Sequence, residues 1–209
     1  MKRTLSLVFA LLGWLAIGIQ YGILVQNRIL PLDETTIRFF SYFTILTNTF
    51  VAVYFTLVAI NKRKQEVMFY RKPGVLTALT TYILIVGLVY QVVLRHLWSP
   101  QGMHMLADET LHTIIPLCVL LFWILYEQKQ ALEFRMIIRW LIFPLLYLIY
   151  ILTQGQFTNF YPYPFIDVTQ LGMAKVLAHS AGLMALFVFL AGVLVVMGKR
   201  MKGMNPFSR

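Results

Sequence analysis

The sequence predicts an all-α membrane protein, a six-helix transmembrane bundle, and three observations carry that prediction. Hydrophobic residues fill 59% of the 209 positions. Charged residues fill only 12%, where a soluble domain carries about 25%. Apolar runs long enough to cross a bilayer, which takes about 20 residues, recur six times with short connections. The mean hydropathy is +0.74. A single domain, residues 1–209, accommodates all six runs.

The first span is expected at 4–25. Met1-Lys2-Arg3 followed by an apolar run resembles a signal peptide, but the run reaches Val25 and no small-x-small cleavage site follows, so it reads as a retained helix. The second is expected at 37–60, the third at 74–94 and the fourth at 107–126. The fifth, 136–153, is the shortest and carries Pro144; the sixth covers 172–197. The longest stretch outside the spans, about 154–171, is rich in aromatic residues and proline from Gln154 to Phe165. It fits a chain lying at the membrane interface, or a lid over a pocket that opens there.

Charge orients the bundle. Lys2 and Arg3 precede span 1, and Lys62, Arg63, Lys64, Arg71 and Lys72 separate spans 2 and 3. Lys129, Arg135 and Arg139 separate spans 4 and 5, and Lys199, Arg200, Lys202 and Arg209 follow span 6. These are 14 of the 18 basic residues, and the positive-inside rule then places both termini in the cytoplasm. Arg28, Arg38, Arg95 and Lys175 fall on the other side, with Asp33, Glu34, Asp108, Glu109 and Asp167. The net charge of +10 is therefore topogenic and does not imply a nucleic-acid partner. The single cysteine, Cys118, excludes an intramolecular disulfide. No internal repeat or low-complexity tract stands out.

Polar residues inside apolar spans cost free energy unless they find partners. Two such motifs enter from the same side: Tyr42-Phe43-Thr44-Ile45-Leu46-Thr47-Asn48 on span 2, and Asp108-Glu109-Thr110-Leu111-His112 on span 4. At 1.5 Å per residue, Thr44 lies about 10 Å deep, His112 about 7–8 Å and His179 about 10 Å. Arg95 and His96 close span 3 on that side, so His96, His104, His112 and His179 all belong to the outer half or its loops. Thr44, Thr47 and Asn48 share one helical stripe. Asp108 stands one turn before His112, placed to orient its imidazole, and Pro116 one turn after it. Lys175 and His179 repeat the same spacing on span 6.

A threonine in a membrane helix ordinarily bonds its own backbone or packs between helices. An intramembrane histidine is harder to assign to structure alone. Together they offer a nucleophile and a neutral base, the minimum for acyl transfer. The oxyanion that forms needs donors. Backbone N–H groups inside a membrane helix are expected to be occupied, which makes Asn48 the leading donor and Arg95 the second. Lipid esters are the natural substrate class. No Gly-x-Ser-x-Gly elbow, His-Glu-x-x-His motif or phosphate-binding glycine loop is present.

The Tyr42-Phe43-Thr44-Ile45-Leu46-Thr47-Asn48 segment, Leu111-His112-Thr113-Ile114-Ile115-Pro116 and Tyr163-Pro164-Phe165 occur in this order across six spans. Together they resemble the androgen-induced (androgen-dependent) membrane hydrolase family, in a bacterial branch. The resemblance covers most of the chain, and His-Thr-x-x-Pro is its most specific piece. It implies a six-span threonine hydrolase that cleaves fatty acid esters of hydroxy fatty acids, located in a bacterial inner membrane and needing no cofactor. It implies Thr44 as nucleophile and His112 as base. The family's asparagine stands three residues after its threonine, whereas Asn48 stands four after Thr44. Thr47, one turn deeper, is the alternative nucleophile. Two other readings stay open: a haem-binding electron carrier with His112 and His179 as axial ligands, and a small-solute transporter, which the lack of a repeat disfavours.

Overall fold

Apolar runs in hydrocarbon must satisfy every backbone polar group internally, and helices do this within one segment. The computed structural model describes residues 1–61, 69–97 and 100–201, and among these it contains helices and no strand. Lys62, Arg63, Lys64, Lys202 and Arg209, counted above for orientation, lie outside the described residues. Six helices are long and apolar enough to span a membrane: Lys2–Gln26, Phe43–Ile60, Val75–Leu94, Gly102–Tyr126, Met136–Thr158 and Met173–Arg200.

The elements in order are α1 (Lys2–Gln26), α2 (Leu32–Phe40), α3 (Phe43–Ile60), α4 (Val75–Val89), α5 (Gly102–Glu109), α6 (Ile115–Tyr126), α7 (Met136–Trp140), α8 (Ile142–Thr158), α9 (Val168–Leu171) and α10 (Met173–Arg200). Two π-helical turns extend this set. Tyr90–Leu94 continues α4, and Thr110–Ile114 joins α5 to α6.

Three spans depart from expectation. The second starts at Phe43 rather than 37, because α2 is a separate helix and Tyr42 has extended backbone angles (φ −81°, ψ 126°). The polar groups exposed by this break are bonded by α8: Tyr147 Oη donates to Ser41 O at 2.8 Å, and Ser41 Oγ lies 2.9 Å from Gln154 Oε1. The fourth span begins earlier, at Gly102, and the fifth continues to Thr158. Residues 154–158, expected outside the spans, are therefore helical.

Small residues set the closest approaches, as they do between membrane helices. A Cβ at Gly13 would stand 3.1 Å from Ala52 Cβ, so α1 lies tightly on α3. Beside it Phe55 and Phe122 meet edge to face at 4.9 Å. The helix of α4 is the most enclosed span, 61% buried against 22% for the span from Met136 to Thr158, so α4 forms the centre and α8 the rim.

Pro116 shapes the contact that matters for the site. It has no N–H for the carbonyl of His112, and its ring would crowd that carbonyl in a regular helix. The π turn widens the helix there, with Ile115 N–H donating to Thr110 O. The His112 carbonyl then faces Gly87 on α4: a Cβ at Gly87 would stand 2.9 Å from His112 O and 3.3 Å from Pro116 Cγ. Gly87→Ala must push α4 away from the π turn. The expected cost is about 1–3 kcal/mol, read as a lower thermal midpoint of the purified protein with its helical circular dichroism retained; an unchanged midpoint would contradict this packing.

Candidate active site

Thr44 is the second residue of α3, so its backbone N–H belongs to the first turn and has no intrahelical acceptor. It donates instead to Tyr163 Oη at 3.3 Å. The backbone donor is thus occupied, as expected at this depth, but by a side chain: the break at Tyr42 turns it to Tyr163 beside the candidate nucleophile, at the positive end of the helix dipole.

The structure brings Thr44 and His112 together. Thr44 Oγ1 lies 3.4 Å from His112 Nε2 and 3.4 Å from Tyr163 Oη. Both approaches are long for hydrogen bonds, as catalytic contacts often are before substrate is bound. His112 Nδ1 faces two acceptors, Asp108 O at 2.9 Å and Asp108 Oδ1 at 3.1 Å. These partners assign the proton to Nδ1 and leave the Nε2 lone pair aimed at the Thr44 hydroxyl. Thr44, Asp108 and His112 are all buried.

Tyr90, on the first π turn, completes the support. Its ring stacks on the His112 imidazole at 4.1 Å and 15°, and its hydroxyl donates to Asp108 Oδ2. One side chain thus holds both the ring and the carboxylate that orients it. Around it, Gln91 Nε2 donates to Thr113 Oγ1 at 2.8 Å, Thr113 Oγ1 donates to Glu109 Oε2 at 2.8 Å, and Arg95 pairs with Glu109. These bonds clamp the two π turns side by side.

Tyr163 closes the site from the loop after α8. It is buried, stacks on Phe165 at 5.2 Å and meets Tyr42 edge to face at 5.7 Å. Burial pushes its phenol up to about 12, against the opposing pull of the Thr44 hydrogen bonds, so it remains a proton donor at neutral pH. The loop is seated on Gly155, where a Cβ would stand 2.1 Å from the Tyr161 ring.

The other expected residues are placed elsewhere. Asn48 Nδ2 donates to Thr44 O at 2.9 Å and to Leu111 O at 3.3 Å, so its amide hydrogens tie α3 to the π turn and are not available to an oxyanion. Arg95 is turned to Gln91 and Glu109 at the exposed rim. Thr47 is fully buried, and among the described residues its hydroxyl has no hydrogen-bond partner. His179 is exposed, and its Nδ1 bonds Phe165 O at 3.0 Å, while both nitrogens of His112 are engaged within the cluster. Lys175 is exposed and His104 approaches Gln20 at 3.4 Å.

Two cavities meet at Thr44 and Tyr163. One is almost wholly apolar, bounded by Phe43, Val86, Leu183, Met184 and Phe187. The other carries Gln20, Asn27, His104, Asp108 and His112. Thr44, Tyr163 and Leu94 line both.

Sequence reasoning missed Tyr90 and the role of Tyr163. A signal existed for the first: Tyr90 is the first hydroxyl after seven apolar or glycine positions, and a phenol embedded in a span needs a partner. Tyr163 was visible in an aromatic loop and in the Tyr163-Pro164-Phe165 motif, neither of which assigns its hydroxyl a partner.

Comparison of the chain with protein-family models, with curated proteins and with solved structures gave no match.

Tyr90→Phe keeps the stacked ring but removes the donor to Asp108. Leaving a buried carboxylate one partner short costs about 1–3 kcal/mol. A thermal midpoint below wild type, with far-ultraviolet circular dichroism unchanged, is the expected result; equal midpoints would remove Tyr90 from the support of this cluster.

Proposed function

We propose that the chain is a multipass membrane hydrolase of lipid esters, with Thr44 as nucleophile and His112 as base. The observation that carries this reading is the 3.4 Å approach of Thr44 Oγ1 to a His112 Nε2 whose opposite nitrogen is held by Asp108. The motif resemblance to the androgen-induced hydrolase family supports the same assignment.

In the proposed reaction the Thr44 proton moves to His112 Nε2 as Thr44 Oγ1 attacks the ester carbonyl carbon. Asp108 stabilises the imidazolium through Nδ1–H. The carbonyl oxygen becomes an oxyanion, stabilised by the Tyr163 hydroxyl and the Thr44 N–H. Both lie at the nucleophile, and the Tyr163 phenol is protonated at neutral pH. The tetrahedral intermediate collapses: the C–O bond to the alcohol breaks, and the alcohol leaves with the proton from His112 Nε2. The acyl group is then carried on Thr44 Oγ1. His112 next takes a proton from water, the hydroxide equivalent attacks the acyl carbon, and Thr44 leaves with that proton as the fatty acid is released.

The two cavities suit the two halves of such a substrate. The apolar one takes the acyl chain, where burial of methylenes provides binding energy at about 0.8 kcal/mol each. The polar one receives the alcohol and admits water. A buried hydroxyl with an apolar cavity on one side and a polar one on the other favours this reading over a solute pathway.

Long-chain 4-nitrophenyl esters and hydroxy-fatty-acid esters presented in nanodiscs test it. Thr44→Ala and His112→Ala should each lower kcat by about 10³-fold or more, while folded Thr47→Ala retains turnover. Tyr163→Phe should lower kcat by about 10²-fold with KM little changed. A fluorophosphonate probe should modify Thr44 and leave Thr44→Ala unlabelled. Full turnover in Thr44→Ala or His112→Ala would refute the assigned roles.

A further inference from the structure

A second concave site lies at the opposite end of the bundle, remote from Thr44. Arg3 Nε donates to Ala59 O at 3.0 Å, which puts the start of α1 beside the end of α3. Thr77, in the first turn of α4, is bonded to Glu127, just past α6. Between these ends is a partly open cavity. Among the described residues four cationic side chains line it, Lys2, Arg3, Arg71 and Lys72, with a single carboxylate, Glu127.

That carboxylate is already committed. Glu127 Oε2 accepts from Thr77 N at 2.9 Å and from Thr77 Oγ1 at 2.7 Å, and Oε1 accepts from Gln128 N at 2.7 Å. Trp123 Nε1 donates to the same Thr77 hydroxyl at 2.9 Å. Glu127 therefore caps the start of α4 and is spent on orphan donors there. Among the described residues Lys2, Arg3 and Lys72 form no ion pair. Lys2 Nζ rests instead over the rings of Phe122 and Tyr126, at 5.9 and 5.4 Å.

An independent observation points to a ligand. Tyr70 lines the cavity with only 6% of its surface exposed, and among the described residues its hydroxyl has no hydrogen-bond partner. A buried phenol without a partner costs free energy, and such groups in native proteins call for an explanation. The positive-inside rule accounts for basic residues at this end of the chain. It does not require them to line one concavity around an unsatisfied tyrosine.

We propose that this cavity binds a phosphate-bearing anion. Guanidinium groups present paired N–H donors that match phosphate oxygens, ammonium groups add compact charge, and the Tyr70 hydroxyl supplies a neutral donor in a fixed position. A phosphate, with several acceptor oxygens, answers several donors converging from α1 and from the segment before α4. The same chemistry is offered by a phospholipid headgroup and by free phosphate.

The experiment uses the full chain, purified and delipidated in neutral detergent, and follows its thermal midpoint and binding isotherm. Inorganic phosphate and short-chain phosphatidylglycerol are titrated separately, with the phosphate-free short-chain diacylglycerol as control. The expected result is saturable stabilisation by a phosphate-bearing probe, weakened by added salt. Tyr70→Phe should weaken it about tenfold, the equivalent of one hydrogen bond to a charged group. Lys72→Gln, at an exposed position, should weaken it in the same direction if Tyr70→Phe does not fold. Stabilisation by inorganic phosphate assigns the site to a free anion, and stabilisation by phosphatidylglycerol alone assigns it to a lipid headgroup. No saturable response to either probe, an equal response to diacylglycerol, or wild-type affinity in both variants would overturn the proposal.

Discussion

A buried hydrogen-bond chain runs Tyr90–Asp108–His112–Thr44–Tyr163 and joins five separate elements. It draws on the π turn after α4, on α5, on the π turn that follows it, on α3, and on the loop after α8. In a low-dielectric interior each such bond is stronger, and each missing partner more costly, than in water. Everything specific about this end of the bundle follows from satisfying that chain. The stacked Tyr90 ring limits how the imidazole can rotate, the Asp108 acceptors select its tautomer, and Asn48 ties α3 to the turn that carries His112.

The chain closes only because two helices depart from regular geometry. In a continuous second span Thr44 would sit in mid-helix with its N–H bonded to residue 40. The break at Ser41–Tyr42 instead puts Thr44 in a first turn, with its N–H turned to the Tyr163 hydroxyl and the positive end of the helix dipole beside its own hydroxyl. The π turn before Pro116 performs the matching adjustment for His112, and π turns are frequent at functional sites for this reason. The Thr44 hydroxyl, His112 Nε2 and the Tyr163 hydroxyl then meet where an apolar and a polar cavity adjoin. The proposed acyl transfer asks for that arrangement.

The two ends of the bundle differ in chemistry. The Thr44 end ties His112, Asp108 and the phenols of Tyr90 and Tyr163 into one bonded cluster, with Arg95 paired to Glu109 beside it. The other end leaves cations around a carboxylate already used to cap α4.

Composition and run length were sufficient to determine the helical class and the number of spans, because hydrocarbon leaves a chain no other way to satisfy its backbone along an apolar run. Four of the six observed helices start within three residues of their expected positions; the exceptions start at Phe43 and Gly102. Helical spacing also sufficed to put Asp108 beside His112, since residues four apart share a face. Whether spans 2 and 4 are neighbours was beyond local pattern. It was decided by packing, in which Asn48 reaches the Leu111 carbonyl and Thr44 meets His112. The break at Ser41–Tyr42 was also invisible, because neither proline nor glycine marks it. Tyr147, more than 100 positions later, bonds the Ser41 carbonyl that a straight helix would have used, and Gln154 accepts from the Ser41 hydroxyl. Tyr90 and Tyr163 gain their parts the same way. A phenol's partner is set by which helix lies opposite it, and only the folded bundle specifies that.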